Sequence, residues 1–419
     1  MLLRARILLP ISSPPIADGA VLISGNRVAA LGRWRDLTRE AAEPAAEPAA
    51  DLGQVILMPG LVNAHCHLDY TDMAGQPAPK QFPDWIKGLL ARKAAASYAD
   101  YAQAWLRGAA MLLRTGVTTV GDIEAVPELL PDVWSSTPLR VASFLEMTCV
   151  RSRRDPAAVV REAAAKIAAL RPERGFAGLS PHALYSTTPD LLRASAELAA
   201  RHRWRVTMHV AESIDEYEMY AHCRGPMFDW LKNQRDMSDC GHGTPVEQVR
   251  RCGLMGDRFL AIHANYLQPA DIEALGQTQS SVVHCPRSHA YFRHQPFLYN
   301  ELAAARVNVC LGTDSLASVS PTRPPGPELN LFTEMQTFAE ANPGVTPAGI
   351  LRLATINGAR ALGLQGSVGE VAQNSFADLI TIPYSGKIGE AESAVVQHRG
   401  DVAHSMIEGK WMGGGNAKC

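Results

Sequence analysis

The sequence predicts an α/β protein: a (β/α)8 barrel of the TIM type with a small β-sandwich domain formed from both chain termini. Eight short apolar runs alternate with helical stretches through the middle of the chain. Their mean spacing of about 35 residues suits one strand, one helix and two loops. Both ends of the chain instead carry short strands and turn residues. We therefore expect a barrel over 58–364 and a composite β-domain built from 1–57 and 365–419.

The amino-terminal part contains a predicted β-hairpin. Residues 20–24 and 27–31 are β-prone, and they flank the turn dipeptide Gly25-Asn26. Residues 39–51, which follow, are rich in alanine, glutamate and proline. Their prolines exclude a regular helix, so we expect a mobile surface loop there.

The carboxyl-terminal part returns to the same character. Residues 366–370 and 377–382 are predicted as short strands, and 406–411 as a hairpin with Glu408-Gly409 at its turn. Because the whole barrel separates these segments from the first hairpin, the two ends are expected to pair in one small domain.

Each apolar run of the middle region is predicted to be one barrel strand, and the eight runs are 61–67, 117–122, 140–147, 176–183, 205–212, 259–266, 281–288 and 307–314. Alanine-rich amphipathic stretches such as 155–170 and 190–203 are predicted as helices between them. One helix start is clear, because Thr244 offers an N-cap, Pro245 suits the first helical position and Glu247 suits a capping box.

Composition excludes several classes of protein. The 419 residues carry a formal net charge of −2, which gives no attraction to nucleic acid or to an anionic membrane. No apolar run is long enough for a membrane span. The eight cysteines form no C-x-x-C pair, which favours reduced thiols and a cytoplasmic protein. The sequence leaves a homodimer open.

Ionisable side chains cluster at the predicted carboxyl ends of the strands, where barrel enzymes build their sites. They are His65 and His67 on the first strand, His182 on the fourth, His209 and Glu212 on the fifth, His263 on the sixth and Asp314 on the eighth. Each has an ordinary alternative, since a histidine can be a rim residue and Asp314 or Glu212 can cap a helix. Their joint occurrence favours one site.

The pair His65-x-His67 gives this site its character. Residues two apart on a strand share a face, so both imidazoles can converge on one ion. Imidazole and carboxylate ligands around an open position suit a catalytic divalent ion, zinc first and iron second. Such an ion lowers the pKa of bound water to about 7, which makes a nucleophile available at neutral pH.

These motifs resemble the amidohydrolase superfamily. The resemblance rests on His65-x-His67, His209 in Met-His-Val-Ala-Glu-Ser, His263 in Ile-His-Ala-Asn and Asp314 in Gly-Thr-Asp-Ser, and it covers nearly the whole chain. The spacing of His209 and Glu212 is similar to the mononuclear aminohydrolase branch, which includes aminodeoxyfutalosine, methylthioadenosine and guanine deaminases.

The resemblance implies one metal ion held by His65, His67, His209 and Asp314. It further implies that Glu212 shuttles protons and that His263 contacts the metal-bound water, with Asp314 taking the proton of that water. The expected function is hydrolytic deamination of an amino-substituted heteroaromatic ring, purine- or nucleoside-like, pterin or triazine, with release of ammonia.

Alternatives within the same fold are removal of chloride or an alkylamine from a ring, or cleavage of a cyclic amide. A two-metal amidase needs a carboxylated lysine at the end of the fourth strand, and 176–183 contain no lysine. A non-enzymatic scaffold is disfavoured because relatives of that kind lose ligands that this chain keeps.

Three side chains are predicted to contact the small heterocyclic substrate. Trp85 lies in the long segment after the first strand, where it either stacks on a ring or packs in the core. His182 stands at the end of the fourth strand, where related deaminases contact the substrate. Arg287 follows the seventh strand and either binds an anionic group or pairs with a neighbouring loop.

Overall fold

The computed structural model describes residues 1–40, 49–75, 78–150, 154–320 and 326–412. The loop predicted for 39–51 falls largely outside these ranges. Its described flanks are regular, because residue 40 ends the first helix and Ala49–Asp51 form a short strand.

Among the described residues, five strands precede the barrel: β1 (Leu2–Leu8), β2 (Ile16–Ser24), β3 (Arg27–Arg33), β4 (Ala49–Asp51) and β5 (Val55–Pro59). Strands β2 and β3 pair antiparallel around residues 25–26, as the turn dipeptide predicts. Gly25 has φ of +60°, a left-handed conformation that glycine adopts without steric cost.

The barrel strands are β6 (Leu61–Cys66), β7 (Val117–Glu124), β8 (Arg140–Met147), β9 (Gly175–Pro181), β10 (Val206–Val210), β11 (Phe259–His263), β12 (Ser281–His284) and β13 (Asn308–Leu311). All eight predicted runs thus contain a strand. Neighbours in this series pair parallel in chain order. Several strands end earlier than predicted; β10, for example, ends at Val210 and β11 at His263.

The barrel closes between its first and last strands. The backbone N–H of Thr313 donates to the carbonyl oxygen of His65 at 3.0 Å, and Cys66 and Asp314 form a parallel bridge. This closure fixes the end of β13 beside the end of β6.

Three strands follow the barrel: β14 (Leu379–Pro383), β15 (His404–Ile407) and β16 (Lys410–Met412). They join the amino-terminal strands in one mixed sheet of order β16-β15-β14-β5-β1-β2-β3, with β4 paired to β1. The expected composite β-domain is therefore present, as one continuous sheet. Its central pairing joins β5 to β14.

The prediction of a strand at 366–370 is wrong. This segment forms turns, and both Gly366 and Gly369 have positive φ, at +75° and +78°. Two residues with left-handed backbone within five positions interrupt an extended strand. The two glycines therefore indicate a turn in a segment where the apolar pattern alone indicated a strand.

The helices are α1 (Trp34–Glu40), α2 (Phe82–Ala95), α3 (Tyr98–Arg114), α4 (Leu130–Ser135), α5 (Pro156–Ala169), α6 (Pro189–His202), α7 (Ile214–His222), α8 (Pro226–Leu231), α9 (Pro245–Arg251), α10 (Pro269–Gln277), α11 (Pro286–Phe292), α12 (Tyr299–Ala304), α13 (Leu331–Ala341), α14 (Pro347–Leu353), α15 (Ile356–Ala361) and α16 (Ala391–Val396). Helix α9 begins at the predicted N-cap and proline, with the Thr244 hydroxyl accepting the Glu247 N–H. Among the described residues the Glu247 carboxylate does not return to the Thr244 N–H, so the predicted capping box is wrong. The Glu247 carboxylate pairs with Arg250 and Arg251.

A buried charge cluster connects the barrel to the small domain. The Arg140 guanidinium on β8 donates to Asp378 at 3.3 Å and to Glu408 at 3.0 Å. It also lies over the ring of Phe376, 4.0 Å from its centroid. The two parts of the chain therefore share polar as well as apolar contacts.

Candidate metal and catalytic site

The structure brings the predicted strand-end side chains together at one rim of the barrel. All are buried, with 1% to 5% of each residue exposed, and they are His65, His67, His209, Glu212, His263 and Asp314. They come from the ends of β6, β10, β11 and β13, because parallel strands of a closed barrel present the same end to the same face.

Two overlapping groups within this cluster have the spacing of metal ligands. In each group, one ligand atom per residue lies within 4.8 Å of the others, and the groups are His65, His209 and His263, and His65, His67 and Asp314. His65 Nε2 lies 3.6 Å and His67 Nε2 3.8 Å from Asp314 Oδ1. His67 Nε2 lies 3.3 Å from His209 Nε2.

The imidazole nitrogens of this cluster fit a bound cation. Neither ring nitrogen of His65 has a hydrogen-bond partner among the described residues, and the same holds for Nδ1 of His67 and Nε2 of His263. Buried polar atoms almost always have a hydrogen-bond partner, so several buried nitrogens without one in the same cluster require an explanation. Nitrogen and carboxylate donors around one point are a donor set that zinc or iron(II) accepts.

His209 is oriented by its second ring nitrogen. The Nδ1 atom lies 2.9 Å from the carbonyl oxygen of His182, which only accepts hydrogen bonds. Nδ1 therefore carries the proton, and the Nε2 lone pair faces the cluster. Burial lowers the pKa of His209 well below its usual value, which favours this neutral form.

Asp314 is held by two hydroxyl groups. Ser288 Oγ and Ser318 Oγ each donate to Asp314 Oδ2 at 2.7 Å, and Oδ1 faces the histidines. Burial alone would raise the pKa of this carboxyl, but the close approach of His65 and the other neighbouring imidazoles holds it well below the usual range. Asp314 is therefore an anionic ligand candidate.

Glu212 is buried beside the cluster without belonging to either ligand group. Its separation from His209 by three residues requires a bend, and the structure has one, because β10 ends at Val210 and Ala211 has φ of +52°. Glu212 Oε1 lies 3.5 Å from His263 Nε2. Burial, followed by repulsion from Asp314, raises the pKa of Glu212 well above its usual value, so this group can carry a proton at neutral pH.

A cavity opens directly onto these residues. His67, His209, Glu212, His263 and Asp314 line its inner end. The remaining wall is mostly apolar, with Ile86, Leu89 and Leu90 of α2 and Trp230 and Leu231 of α8. An apolar cleft with a few converging polar groups is the usual form of a small-molecule site.

The three predicted substrate contacts have different positions. Trp85 lines the cavity, and its indole N–H donates to the carbonyl oxygen of Ala317 at 3.1 Å. His182 also lines it. Arg287 does not line the cavity, since its guanidinium donates to the Glu328 carbonyl at 2.7 Å and lies 3.5 Å from Glu334. The structure therefore favours the alternative of a loop contact for Arg287.

Sequence reasoning missed a charged pair in the cavity wall. Lys93 of α2 lies 3.4 Å from Glu146 at the end of β8, and its ammonium donates to the Tyr70 hydroxyl at 2.5 Å. Burial raises the pKa of Glu146, but Lys93, His182 and His67 together outweigh this effect and lower it to about 2. The signal was available for Glu146, because it stands next to the last residue of the third predicted strand. Lys93 and Tyr70 had none.

A family comparison agrees with this site. The model of the Amidohydrolase family matches residues 56–412. The fold, the ligand cluster and this match together define the class of protein, and the chain belongs to the amidohydrolase family. The predicted superfamily and the prediction of an enzyme of this type are thereby confirmed.

Curated relatives with known names cover most of the chain. An aminodeoxyfutalosine deaminase of Deinococcus radiodurans is 30% identical over 358 residues, covering 83% of this chain and 82% of the relative. A 5-methylthioadenosine/S-adenosylhomocysteine deaminase of Syntrophobacter fumaroxidans is 28% identical over 427 residues, covering 94% and 87%.

A solved structure supports the fold. The adenosine deaminase from Xanthomonas campestris with bound zinc superposes with a TM-score of 0.83, at 24% identity, covering 98% of this chain and 92% of that one.

In the described residues, no helix is long and apolar enough to cross a membrane.

Proposed function

We propose that this protein is a metal-dependent hydrolytic deaminase of an amino-substituted heteroaromatic ring, releasing ammonia. The observation that carries the proposal is Glu212: a buried carboxyl with a raised pKa, adjacent to a metal-type cluster and outside both ligand groups. Such a group can protonate a ring nitrogen while the nucleophile attacks the neighbouring carbon. The names of the curated relatives, which are deaminases of adenosine-like compounds, support a purine- or nucleoside-like substrate.

The residues that would hold the metal are His65, His67, His209 and Asp314. When bound, a divalent ion, zinc first and iron second, supplies the Lewis acidity that makes water nucleophilic at neutral pH. The protein contributes the geometry of the site: barrel closure sets Asp314 beside His65, and the His182 carbonyl selects the tautomer of His209.

Three side chains would move or hold protons. Asp314, kept anionic, accepts the proton of the attacking water through Oδ1. Burial lowers the pKa of His263 to about 3, so its imidazole stays neutral and its unpartnered Nε2 can hydrogen-bond the water. Glu212 donates its proton to the ring nitrogen adjacent to the attacked carbon. The proton taken up by Asp314 then passes to the amine, which leaves as ammonia, and the second proton of the attacking water returns to Glu212 as the product carbonyl forms.

The cavity wall would select the rest of the substrate. Trp85 is placed to pack against a ring, and His182 lies on the same cavity. The Lys93–Glu146 pair offers an ammonium and a carboxylate to polar substituents, since both line the cavity. The structural alternative of a two-metal amidase lacks support, because β9 contains no lysine at its end.

The test is a screen for ammonia release from aminopurines, adenosine derivatives, aminopterins and aminotriazines. At matched metal loading, Glu212→Gln should lose roughly 10²- to 10⁴-fold in kcat, the usual contribution of a general acid–base group. Glu247→Gln, a carboxyl on the surface helix α9, is the control and should keep wild-type rates. No turnover of any ring amine, or full activity of Glu212→Gln, would refute the proposal. Parallel assays for chloride and alkylamine release identify the leaving group.

The predicted cytoplasmic location, the absence of nucleic-acid binding and a homodimer stay predictions from the sequence. Sedimentation of the purified, metal-loaded protein would determine the oligomeric state.

A further inference from the structure

The backbone around Glu212 is fixed by a second buried glutamate that the proposed chemistry does not use. Glu216 lies in the first turn of α7 and is fully buried. Its Oε1 accepts the backbone N–H of Ala211 at 3.1 Å, and its Oε2 accepts the backbone N–H of Glu212 at 2.8 Å. One carboxylate therefore binds both peptide groups of the bend.

This bend needs such support. Ala211 has φ of +52°, a conformation that costs about 1 kcal/mol or more for a residue other than glycine. The strand ladder has ended at Val210, so the next two N–H groups lie beyond the regular pairing of β10. Without Glu216, the N–H groups of Ala211 and Glu212 would be buried donors that lack this acceptor, which would destabilise the folded state.

The next peptide group, between residues 212 and 213, is also fixed by a side chain. Asn265 Nδ2 donates to the carbonyl oxygen of Glu212 at 2.9 Å, and Asn265 Oδ1 lies 3.0 Å from Nδ1 of His289. The backbone N–H groups of Asn265 and Tyr266 donate to the carbonyl oxygen of Ala211. The backbone N–H and the backbone carbonyl of Glu212 thus each have a defined hydrogen-bond partner.

We propose that Glu216 is a positioning residue: its carboxylate holds the bend at 211–212 and thereby directs the Glu212 side chain toward His263 and the cavity. Glu216 reaches the reacting atoms only through Glu212, since it does not line the cavity. A misplacement of a reacting group by about 1 Å can cost on the order of 100-fold in rate. The inference rests on the proposed role of Glu212 in catalysis.

Glu216→Gln preserves the side-chain volume but directs an NH2 group at one of the two N–H donors. We expect its kcat to fall about 10- to 100-fold with little change in KM and with full metal content. The matched control is Asp271→Asn, another buried carboxylate that accepts a backbone N–H, from Gln268; it lies on α10 and does not line the cavity. It should lose stability without this selective loss of kcat.

The deciding measurement is the double variant. If Glu216 acts through Glu212, then Glu212→Gln combined with Glu216→Gln is no slower than Glu212→Gln alone. If the two rate losses multiply in the double variant, or if Glu216→Gln keeps the wild-type kcat, the positioning role is wrong while the deaminase function stands. A crystal structure of metal-loaded Glu216→Gln decides independently of activity: Glu212 should move away from His263, and an unchanged bend would refute the positioning role even if no substrate had been found.

Discussion

His65 Nε2 lies 3.6 Å from Asp314 Oδ1, although the two residues end the first and the last strand of the barrel. The contact exists because the N–H groups of Thr313 and Asp314 both donate to the His65 carbonyl oxygen, at 3.0 and 3.2 Å. Closing the barrel and assembling the ligand cluster are therefore the same event. A bound ion would stabilise the folded barrel, since it binds residues that only the closed form brings together.

The purified protein should contain one divalent ion per chain, and His65→Ala should lose it. His65 belongs to both candidate ligand groups, so its removal takes one ligand from each of them. Elemental analysis after dialysis measures the content, with His202→Ala, an exposed histidine at the end of α6, as the control. Two ions per chain, or unchanged metal in His65→Ala, contradicts the assignment.

The two serines that hold Asp314 should tune metal affinity. Ser318→Ala leaves Oδ2 with one hydroxyl partner, so we expect roughly 10- to 100-fold weaker metal binding, the usual effect of losing an outer partner of a ligand. A competition titration with a chelator measures it. Ser195→Ala, a buried serine that bonds only within α6, should bind as wild type does, and equal affinity in both variants would count against this role.

Trp85 should contribute to substrate binding. Loss of one stacking surface in Trp85→Ala is expected to raise KM roughly 10- to 100-fold, because stacking on a base is worth about 1–3 kcal/mol. Trp85→Phe keeps a ring but loses the hydrogen bond to Ala317, so its KM should be intermediate. Trp34→Ala, in the small domain, controls for general effects. If Trp85→Ala keeps the wild-type KM, the indole only packs against Phe82 and Phe292.

Glu334 should make stability depend on pH. Burial raises its pKa from 4.5 to about 8, despite Arg287 nearby, and its Oε1 accepts no hydrogen bond from the described residues. Between pH 4.5 and 8 the folded state therefore binds more protons than the unfolded state, so stability falls as pH rises, by about 1.4 kcal/mol per unit.

Urea unfolding of wild type and Glu334→Gln across this range tests the effect. The difference between the two should change steadily up to about pH 8 and then level off, because the amide does not titrate. Parallel curves for the two proteins would show that the carboxyl is ionised throughout.

Residues 58–364 alone should be less stable than the full chain. The main apolar cluster includes Ile7 and Ile56 from one end and Ile380 and Ile382 from the other, and truncation would expose their barrel partners. Arg140 would also lose both acidic partners, leaving a buried cation. Thermal unfolding and light scattering of the truncated protein measure the result. A soluble fragment of equal stability would show that the predicted domain boundaries separate independent units.

The sequence alone was sufficient for the barrel, for the sheet that both chain ends form, and for the side chains that meet at the barrel rim. Period-two geometry placed His65 and His67 on one face, and parallel strands brought His209, His263 and Asp314 to the same rim. The bend that turns Glu212 inward followed from its spacing to His209. The positions of these side chains needed only local periodicity and chain order, whereas their assignment as metal ligands rests on the resemblance to the amidohydrolase superfamily and stays a prediction.

Only the tertiary structure decided the features that depend on distant segments approaching each other. The Lys93–Glu146 pair joins a helix to a strand end, and Glu216 reaches back to the bend from the next helix. Arg287 is directed away from the cavity by Glu334, which lies on α13. No periodicity encodes such contacts, because they depend on loop paths and side-chain directions that packing sets after the strands are in place.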